Sequence, residues 1–139
     1  MIKRTCWLAV TVLAFFACGK RSDVVPYTPV SFQISLSDPR YSRLNIAGNA
    51  VIIQGNYGVA GVIVYHDFYA GYLAYDRCSS YQPEKVCAVV IDTSGFTVTD
   101  PCSGSKFSLS DGSPVKAPAT RSLKSYNVNT SNNQIFVFN

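Results

Sequence analysis

Three cysteines in the second half of this 139-residue chain are the residues with the greatest capacity for chemistry. Cys78, Cys87 and Cys102 are accompanied by two carboxylates, Glu84 and Asp100. Because thiolates and carboxylates are both zinc ligands, one hypothesis is a cysteine-rich zinc site that includes Asp100 or Glu84. The close Cys-x-x-Cys spacing of many zinc sites is absent. A second hypothesis is thiol redox chemistry at whichever cysteine is unpaired, which requires surroundings that stabilise a thiolate.

The histidine content of the chain limits the other kinds of site. His66 is the single histidine, and it precedes all three of these cysteines in the sequence. We expect it to be an ordinary side chain at the end of a strand, without a metal. With one histidine and no Gly-x-Ser-x-Gly turn, the sequence does not favour nucleophilic catalysis by a serine. A non-enzymatic role is therefore the more natural expectation.

The N-terminus has the features of an export signal. A short basic start precedes an apolar run over residues 6–17, and small residues lead into Cys18. This order is typical of a cleaved signal peptide, and the run is too short to cross a bilayer as a helix. Cys18 directly after an alanine resembles a bacterial lipobox, in which the cysteine becomes the lipidated N-terminus, although Phe15 replaces the usual leucine. We therefore predict a lipid-anchored protein of the bacterial cell envelope, facing the periplasm or the cell surface.

These features divide the chain into a signal peptide over residues 1–17, a lipidated tether over 18–30 and a single domain over 31–139. Loss of the signal removes two of the 12 basic residues, which leaves 10 against 8 acidic residues, a net charge of +2. No basic cluster exceeds Lys20-Arg21, so the sequence does not favour a nucleic-acid partner. The predicted partners are the membrane, reached through the lipid, and an unidentified protein or small molecule.

The cysteine count is informative for an exported chain, because disulfides persist in an oxidising compartment. Cys6 leaves with the signal peptide and Cys18 is acylated. Three cysteines remain, and the simplest outcome is one disulfide and one free thiol.

The rest of the chain predicts an all-β domain. Short runs rich in valine, isoleucine and aromatic residues alternate with turn residues, and no segment has a convincing helical pattern. Strands are predicted over residues 31–37, 51–53, 61–65, 72–75, 87–92, 96–99, 105–109, 126–128 and 135–138. Eight or nine short strands in this arrangement are typical of a small antiparallel β-sandwich or barrel.

One segment of this predicted domain resembles a known family. Residues 100–107 read Asp-Pro-Cys-Ser-Gly-Ser-Lys-Phe, which is similar to the second cluster-binding loop of Rieske [2Fe-2S] proteins, Cys-x-Cys-His-Gly-Ser-x-Phe. Cys102 and the residues that follow the histidine position match this pattern. However, Asp100 stands at the place of a ligand cysteine and Ser103 at the place of a ligand histidine.

The resemblance extends from about residue 31 to residue 138. Residues 61–65 and 72–78 look like the strands that lead into the first cluster loop, and residues 107–112 look like the strand and turn after the second loop. Residues 117–126 resemble the Gly-Pro-Ala-x-x-x-Leu-x-x-Tyr segment beside the cluster, with alanine in place of the glycine. The overall likeness is to Rieske-like lipoproteins of Bacteroidetes-type bacteria.

In the first cluster loop, whose usual form is Cys-x-His-x-Gly-Cys, the resemblance leaves two alignments open. If Cys78 holds the ligand position, Ser80 stands at the histidine place. If Cys87 is the disulfide cysteine, Gln82 and Glu84 stand at the two ligand places.

The resemblance also implies a disulfide between the two loops. Cys87 and Cys102, 15 residues apart, are close to the separation of the family's bridge, and a bridge between Cys78 and Cys102 is the alternative. Such a bridge would contribute about 3 kcal/mol in the chain-entropy estimate.

The functional expectation follows from the ligand positions. A Rieske centre requires two histidines on one iron, and no metal is expected at Asp100 and Ser103. The resemblance therefore implies a Rieske-like domain that has lost its cluster and serves as a binding or structural module. The alternatives are electron transfer through a [2Fe-2S] cluster, and thiol redox chemistry or zinc binding through the three cysteines.

Overall fold

The computed structural model describes residues 24–139, so the predicted signal peptide and the lipidation site at Cys18 lie outside the described residues. Within this range the chain forms ten β-strands and two short 3-10 helices, and every strand pairing is antiparallel. The strands are β1 (Ser31–Ser35), β2 (Ala50–Ile53), β3 (Val62–Asp67), β4 (Gly71–Asp76), β5 (Val90–Ile91), β6 (Thr97–Thr99), β7 (Lys106–Ser108), β8 (Pro114–Lys116), β9 (Ser125–Ser131) and β10 (Gln134–Phe138). The 3-10 helices are Pro39–Asn45 and Pro83–Lys85.

The strands form two sheets. The larger sheet has the order β1-β10-β9-β4-β3-β2, and the smaller has the order β5-β6-β7-β8. This arrangement confirms the prediction of a small all-β domain built from antiparallel strands.

The central strand β3 explains why its sequence is a continuous apolar run. Val62 and Val64 point into one hydrophobic core, together with side chains of β9 and β10. Ile63 and Tyr65 point to the opposite face and pack against Phe107 and other residues of the smaller sheet. Successive strand residues face opposite sides, so a strand between two cores needs apolar side chains at every position.

Most predicted strands lie within one or two residues of the observed ones; the strand predicted over 126–128 is three residues too short at its end, since β9 continues to Ser131, and two further differences are larger. The predicted strand over 87–92 is restricted to Val90–Ile91, because the residues before it belong to a loop held by a disulfide. Strand β8 (Pro114–Lys116) was not predicted, since it is short, begins with a proline and has no buried residue.

Residues 24–30, which we assigned to the tether, pack against the domain. Val25 and Val30 are buried. Asn139 anchors this segment, because its backbone N–H donates to the carbonyl of Val30 and its side-chain amide donates to the carbonyl of Thr28. Residues 24–30 are therefore part of the packed structure and not a free tether.

Two loops define the candidate site, and the first of them connects the larger sheet to the smaller one. This loop, residues 77–89, connects β4 to β5, and the second loop, residues 100–105, connects β6 to β7.

Among the described residues, no helix is long and apolar enough to span a membrane.

Candidate functional site

A disulfide joins the two loops. Cys87 of the first loop bonds to Cys102 of the second, with a Cα–Cα distance of 6.3 Å. Cys78 is a free, buried cysteine. The structure thus contains the Cys87–Cys102 pair that the resemblance implies, and the alternative Cys78–Cys102 pair is absent from it.

Asp100 is fully buried beside this disulfide. One carboxylate oxygen, Oδ2, accepts hydrogen bonds from the hydroxyls of Ser79 (2.7 Å) and Ser103 (2.6 Å). The other, Oδ1, accepts the backbone N–H of Cys102 at 2.8 Å. Because Ser79 belongs to the first loop and Cys102 and Ser103 belong to the second, this set of hydrogen bonds, which we call the Asp100 network, connects the two loops independently of the disulfide.

The second loop is a tight turn closed by its own backbone. The N–H of Asp100 donates to the carbonyl of Ser105, and the N–H of Gly104 donates to the carbonyl of Asp100, both at 2.8 Å. Gly104 has a φ of 78°, a left-handed conformation that glycine adopts without steric cost. The loop is further held by the buried Ser105, whose hydroxyl oxygen accepts the backbone N–H of Ala119.

The first loop is held by a side-chain hydrogen bond and contains two residues with unusual backbone conformations. Ser80 is buried, and its hydroxyl donates to the carbonyl of Arg121 at 2.6 Å. Gln82 and Val86, which flank the 3-10 helix Pro83–Lys85, both have left-handed φ values near 50°. For a β-branched residue such as valine this conformation is costly, so tertiary contacts must hold the loop in this shape.

The surroundings of Cys78 disfavour the thiolate form of its side chain. Its N–H donates to Asp76, and its thiol lies 3.6 Å from the carbonyl oxygens of Ser79 and Pro83. Burial, with smaller contributions from the charges of Asp76 and Asp100, raises the pKa of the Cys78 thiol to about 11. A thiol with this pKa is protonated near neutral pH, so the hypothesis of a reactive thiolate finds no support here.

Asp76 anchors the start of the first loop, and the sequence analysis missed it. The fully buried carboxylate accepts hydrogen bonds from the hydroxyl of Tyr126 (2.6 Å) and from the N–H groups of Val59, Ala60 and Cys78. Burial and the contact with Asp76 raise the pKa of Tyr126. A carboxylate at the end of an apolar strand, two residues before a cysteine, was the available signal.

A cavity of about 430 Å³ lies next to the first loop. Val25 contributes an apolar wall, and Arg121 and Lys124 contribute cationic side chains. The ammonium of Lys124 lies 5.2 Å from the ring of Tyr27 and 5.6 Å from that of Tyr126, and donates to the carbonyl of Pro26. The cavity therefore combines apolar surface with positive charge.

The aromatic residues of β3, β4 and the turn between them occupy both buried and exposed positions. Tyr65 and Tyr75 are core residues, and the exposed Phe68 and Tyr69 lie in the β3–β4 turn. The single histidine, His66, is part of β3, where its Nδ1 lies 2.8 Å from the carbonyl oxygen of Leu44. A carbonyl can only accept, so Nδ1 carries the proton and this hydrogen bond fixes the ring.

The donor set of the two loops does not fit a Rieske centre, which takes two cysteines and two histidines. Ser103, at one histidine place, already donates to Asp100, and Ser80 donates to a backbone carbonyl. Neither first-loop alignment supplies an imidazole. Among the described residues, one group of potential metal ligands comes together: Cys87, Asp100 and Cys102, with ligand atoms within 4.8 Å of one another. Cys78 is not part of that group, so the zinc site of all three cysteines is not assembled.

No protein-family model and no curated protein matches the chain. Solved structures do match. One is a complex of reduced oxygenase and oxidized ferredoxin in carbazole 1,9a-dioxygenase, at 18% identity and a TM-score of 0.53, covering 78% of this chain and 93% of that chain. Another is the plasma membrane Rieske protein of the cyanobacterium Synechocystis PCC 6803, at 23% identity and a TM-score of 0.53, covering 80% and 98%. At these identities the likeness concerns the fold alone, and the fold of this chain is Rieske-like.

Proposed function

We propose that this chain is an exported, lipid-anchored Rieske-like domain that has lost its iron–sulfur cluster and acts as a binding or structural module. The Asp100 network is the observation that carries the proposal. Asp100 stands at a cysteine ligand position of the resemblance, and its oxygens are already engaged by three donors from both loops. A cluster at this place would require these hydrogen bonds to break.

The remaining ligand positions support the same conclusion. Ser103 cannot replace the nitrogen ligand of a histidine, and Cys78 alone offers a single sulfur whose pKa is raised to about 11 by burial. The disulfide and the Asp100 network hold the two loops together without iron. The loops are thereby available as a fixed scaffold for recognition.

The cavity beside the first loop supports a binding role. Ligand pockets are concave, mostly apolar and carry a few polar groups, in volumes of about 300–1,000 Å³, and the cavity of about 430 Å³ meets this description. Arg121 and Lys124 on its wall favour a small ligand that has an apolar body and an anionic group. Arg121 and Lys124 follow Ala119, whose backbone N–H donates to the hydroxyl oxygen of Ser105 in the second loop.

Lipid anchoring would set the position of this cavity. Val24 lines the cavity and is six residues (24 − 18) after Cys18. A chain of six residues spans at most about 20 Å, so the cavity would lie close to the bilayer surface. The proposed module would therefore bind its ligand near the membrane.

Electron transfer through a [2Fe-2S] cluster is the rival function. It is supported by the fold, because the compared structures are described as a ferredoxin complex and a Rieske protein. It would require an unusual ligand set of Cys78 and carboxylates. Such a centre would absorb visible light, which the proposed cluster-free module would not.

Iron and labile sulfide analysis of the full chain, purified anaerobically, tests the proposal. We expect neither iron nor sulfide in stoichiometric amount, and about two of each per chain would overturn the proposal. A triple variant, Ser80→His with Asp100→Cys and Ser103→His, is the matched control for cluster assembly. Uptake of a cluster by the variant and not by the native chain would trace the loss to these positions.

A further inference from the structure

The two disulfide cysteines and the buried carboxylate of Asp100 lie together where the two loops meet. The sulfurs of Cys87 and Cys102 and a carboxylate oxygen of Asp100 lie within 4.8 Å of one another. In a tetrahedral zinc site with bonds of about 2.3 Å to sulfur and about 2.1 Å to oxygen, ligand atoms are roughly 3.4–3.8 Å apart. The carboxylate oxygen thus lies near both sulfurs, which are bonded to each other in the disulfide and would have to separate to about 3.8 Å after reduction to bind one zinc ion.

The backbone holds these ligands by contacts other than the disulfide. The carbonyl of Cys87 accepts the N–H of Ser79 at 2.8 Å, and a β-bridge pairs the next residue, Ala88, with Cys78. The N–H of Cys102 donates to Asp100. Breaking the sulfur–sulfur bond therefore leaves both cysteines next to the carboxylate.

The hydrogen bonds of the Asp100 carboxylate leave one of its oxygens with a free lone pair. Two serine hydroxyls, from Ser79 and Ser103, donate to Oδ2, whereas Oδ1 accepts only the Cys102 N–H. Each carboxylate oxygen has two lone pairs, so Oδ1 retains one that can bind a cation. Hydrogen bonds that fix a ligating carboxylate are a common feature of metal sites.

We propose that reduction of the Cys87–Cys102 disulfide converts this group into a zinc site with the two thiolates and Asp100 as ligands. Cys102 is exposed and Cys87 is almost fully buried, so solvent can take the fourth position on the Cys102 side. Because Cys102 is the exposed residue of the pair, it is also the cysteine that a reductant can reach. The carboxylate that fills a cluster-ligand position then becomes a metal ligand in the reduced state.

The electron balance requires a dithiol reductant of the thioredoxin class. Its thiolate attacks the Cys102 sulfur, Cys87 leaves as a thiolate, and the second thiol of the reductant resolves the mixed disulfide. The reductant becomes a disulfide and the chain gains two electrons and two protons. Zinc then displaces both thiol protons to solvent.

This inference rests on the proposed function in one respect, since Asp100 must be free of iron. Iron and sulfide analysis of the full chain is therefore done first, and stoichiometric iron would be a failure of the proposed function. In the iron-free chain, the test compares zinc affinity before and after reduction by a phosphine, measured anaerobically in competition with a chromophoric chelator. We expect one zinc per reduced chain and at least about tenfold weaker binding to the oxidised chain.

Variants locate the site. Asp100→Asn and Cys102→Ser should each weaken zinc binding by about tenfold or more, whereas Cys78→Ser should bind zinc as the native chain does. Cobalt added to the reduced native chain should give a thiolate charge-transfer band and the visible bands of a tetrahedral ion. Equal zinc affinity in the oxidised and reduced native chain would overturn the inference, and so would binding that depends on Cys78 and not on Asp100.

Discussion

Substitution of Asp100 by alanine should lower the free energy of unfolding about as much as loss of the disulfide between the two loops. The buried carboxylate accepts three hydrogen bonds, from the hydroxyls of Ser79 and Ser103 and the N–H of Cys102. After the substitution the Ser103 hydroxyl still has Ser105 Oγ at 2.9 Å. The N–H of Cys102 and the hydroxyl of Ser79 lose their acceptor.

The magnitude follows from those two losses. A hydrogen bond to a charged group contributes about 1.5–3 kcal/mol, and taking the lower value for each donor gives about 3 kcal/mol for Asp100→Ala. The substitution also removes the cost of desolvating a buried carboxylate, which opposes this loss. We therefore take the lower value. Asp100→Asn retains the shape and one acceptor oxygen, so its cost should be about 1 kcal/mol.

The assay is equilibrium urea unfolding with the disulfide intact, near neutral pH. Asp111→Ala is the matched control, because Asp111 also accepts a serine hydroxyl and a backbone N–H, both from Ser113, but is exposed. Its cost should be below about 1 kcal/mol. An Asp100→Ala cost no larger than that of Asp111→Ala, or a stabilising Asp100→Asn, would refute the view that the network stabilises the loops.

Three further predictions concern the disulfide, the free thiol and a buried tyrosine. Replacing both Cys87 and Cys102 by serine should lower the free energy of unfolding by about 3 kcal/mol in urea, given their separation of 15 residues; an unchanged value would contradict this. Iodoacetamide at about pH 8 should modify Cys78 at least about a hundredfold more slowly in the folded than in the urea-unfolded chain, because its raised pKa leaves little thiolate; mass spectrometry that finds equal rates would rule this out. Burial raises the pKa of Tyr75 to about 12, above the unfolded value near 10, so its contribution to stability is complete below about pH 10 and is lost as the pH rises towards 12. Tyr75→Phe should therefore flatten the alkaline fall in the urea midpoint, and an identical profile would exclude this origin.

The sequence was sufficient for the fold because strand signals and turn residues agree along the chain. The double-sided burial of β3 is readable in the unbroken run Val62-Ile63-Val64-Tyr65, and the Asn132-Asn133 turn, with both residues left-handed, suits a tight hairpin. Strand β8 could not be predicted from the sequence, because it has no alternating pattern and is a strand only through its pairing with β7.

The site could be predicted only in part. The spacing of Cys87 and Cys102 in the resemblance indicated the pair that the structure joins. The hydrogen bonds of Asp100 to both loops were not predictable, because Ser79 and Asp100 are 21 residues apart and nothing local in the sequence relates them. The same holds for Asp76 and Tyr126, whose contact across 50 residues depends on the pairing of β4 with β9.

In the function that we propose, these loops no longer hold an iron–sulfur cluster. Electron paramagnetic resonance of the anaerobically purified full chain, reduced with dithionite, tests it most directly, since a reduced [2Fe-2S] centre has an unpaired electron. We predict no such signal and no visible absorption before reduction. A rhombic signal that integrates to about one spin per chain, as expected of one intact [2Fe-2S] cluster, would contradict the account.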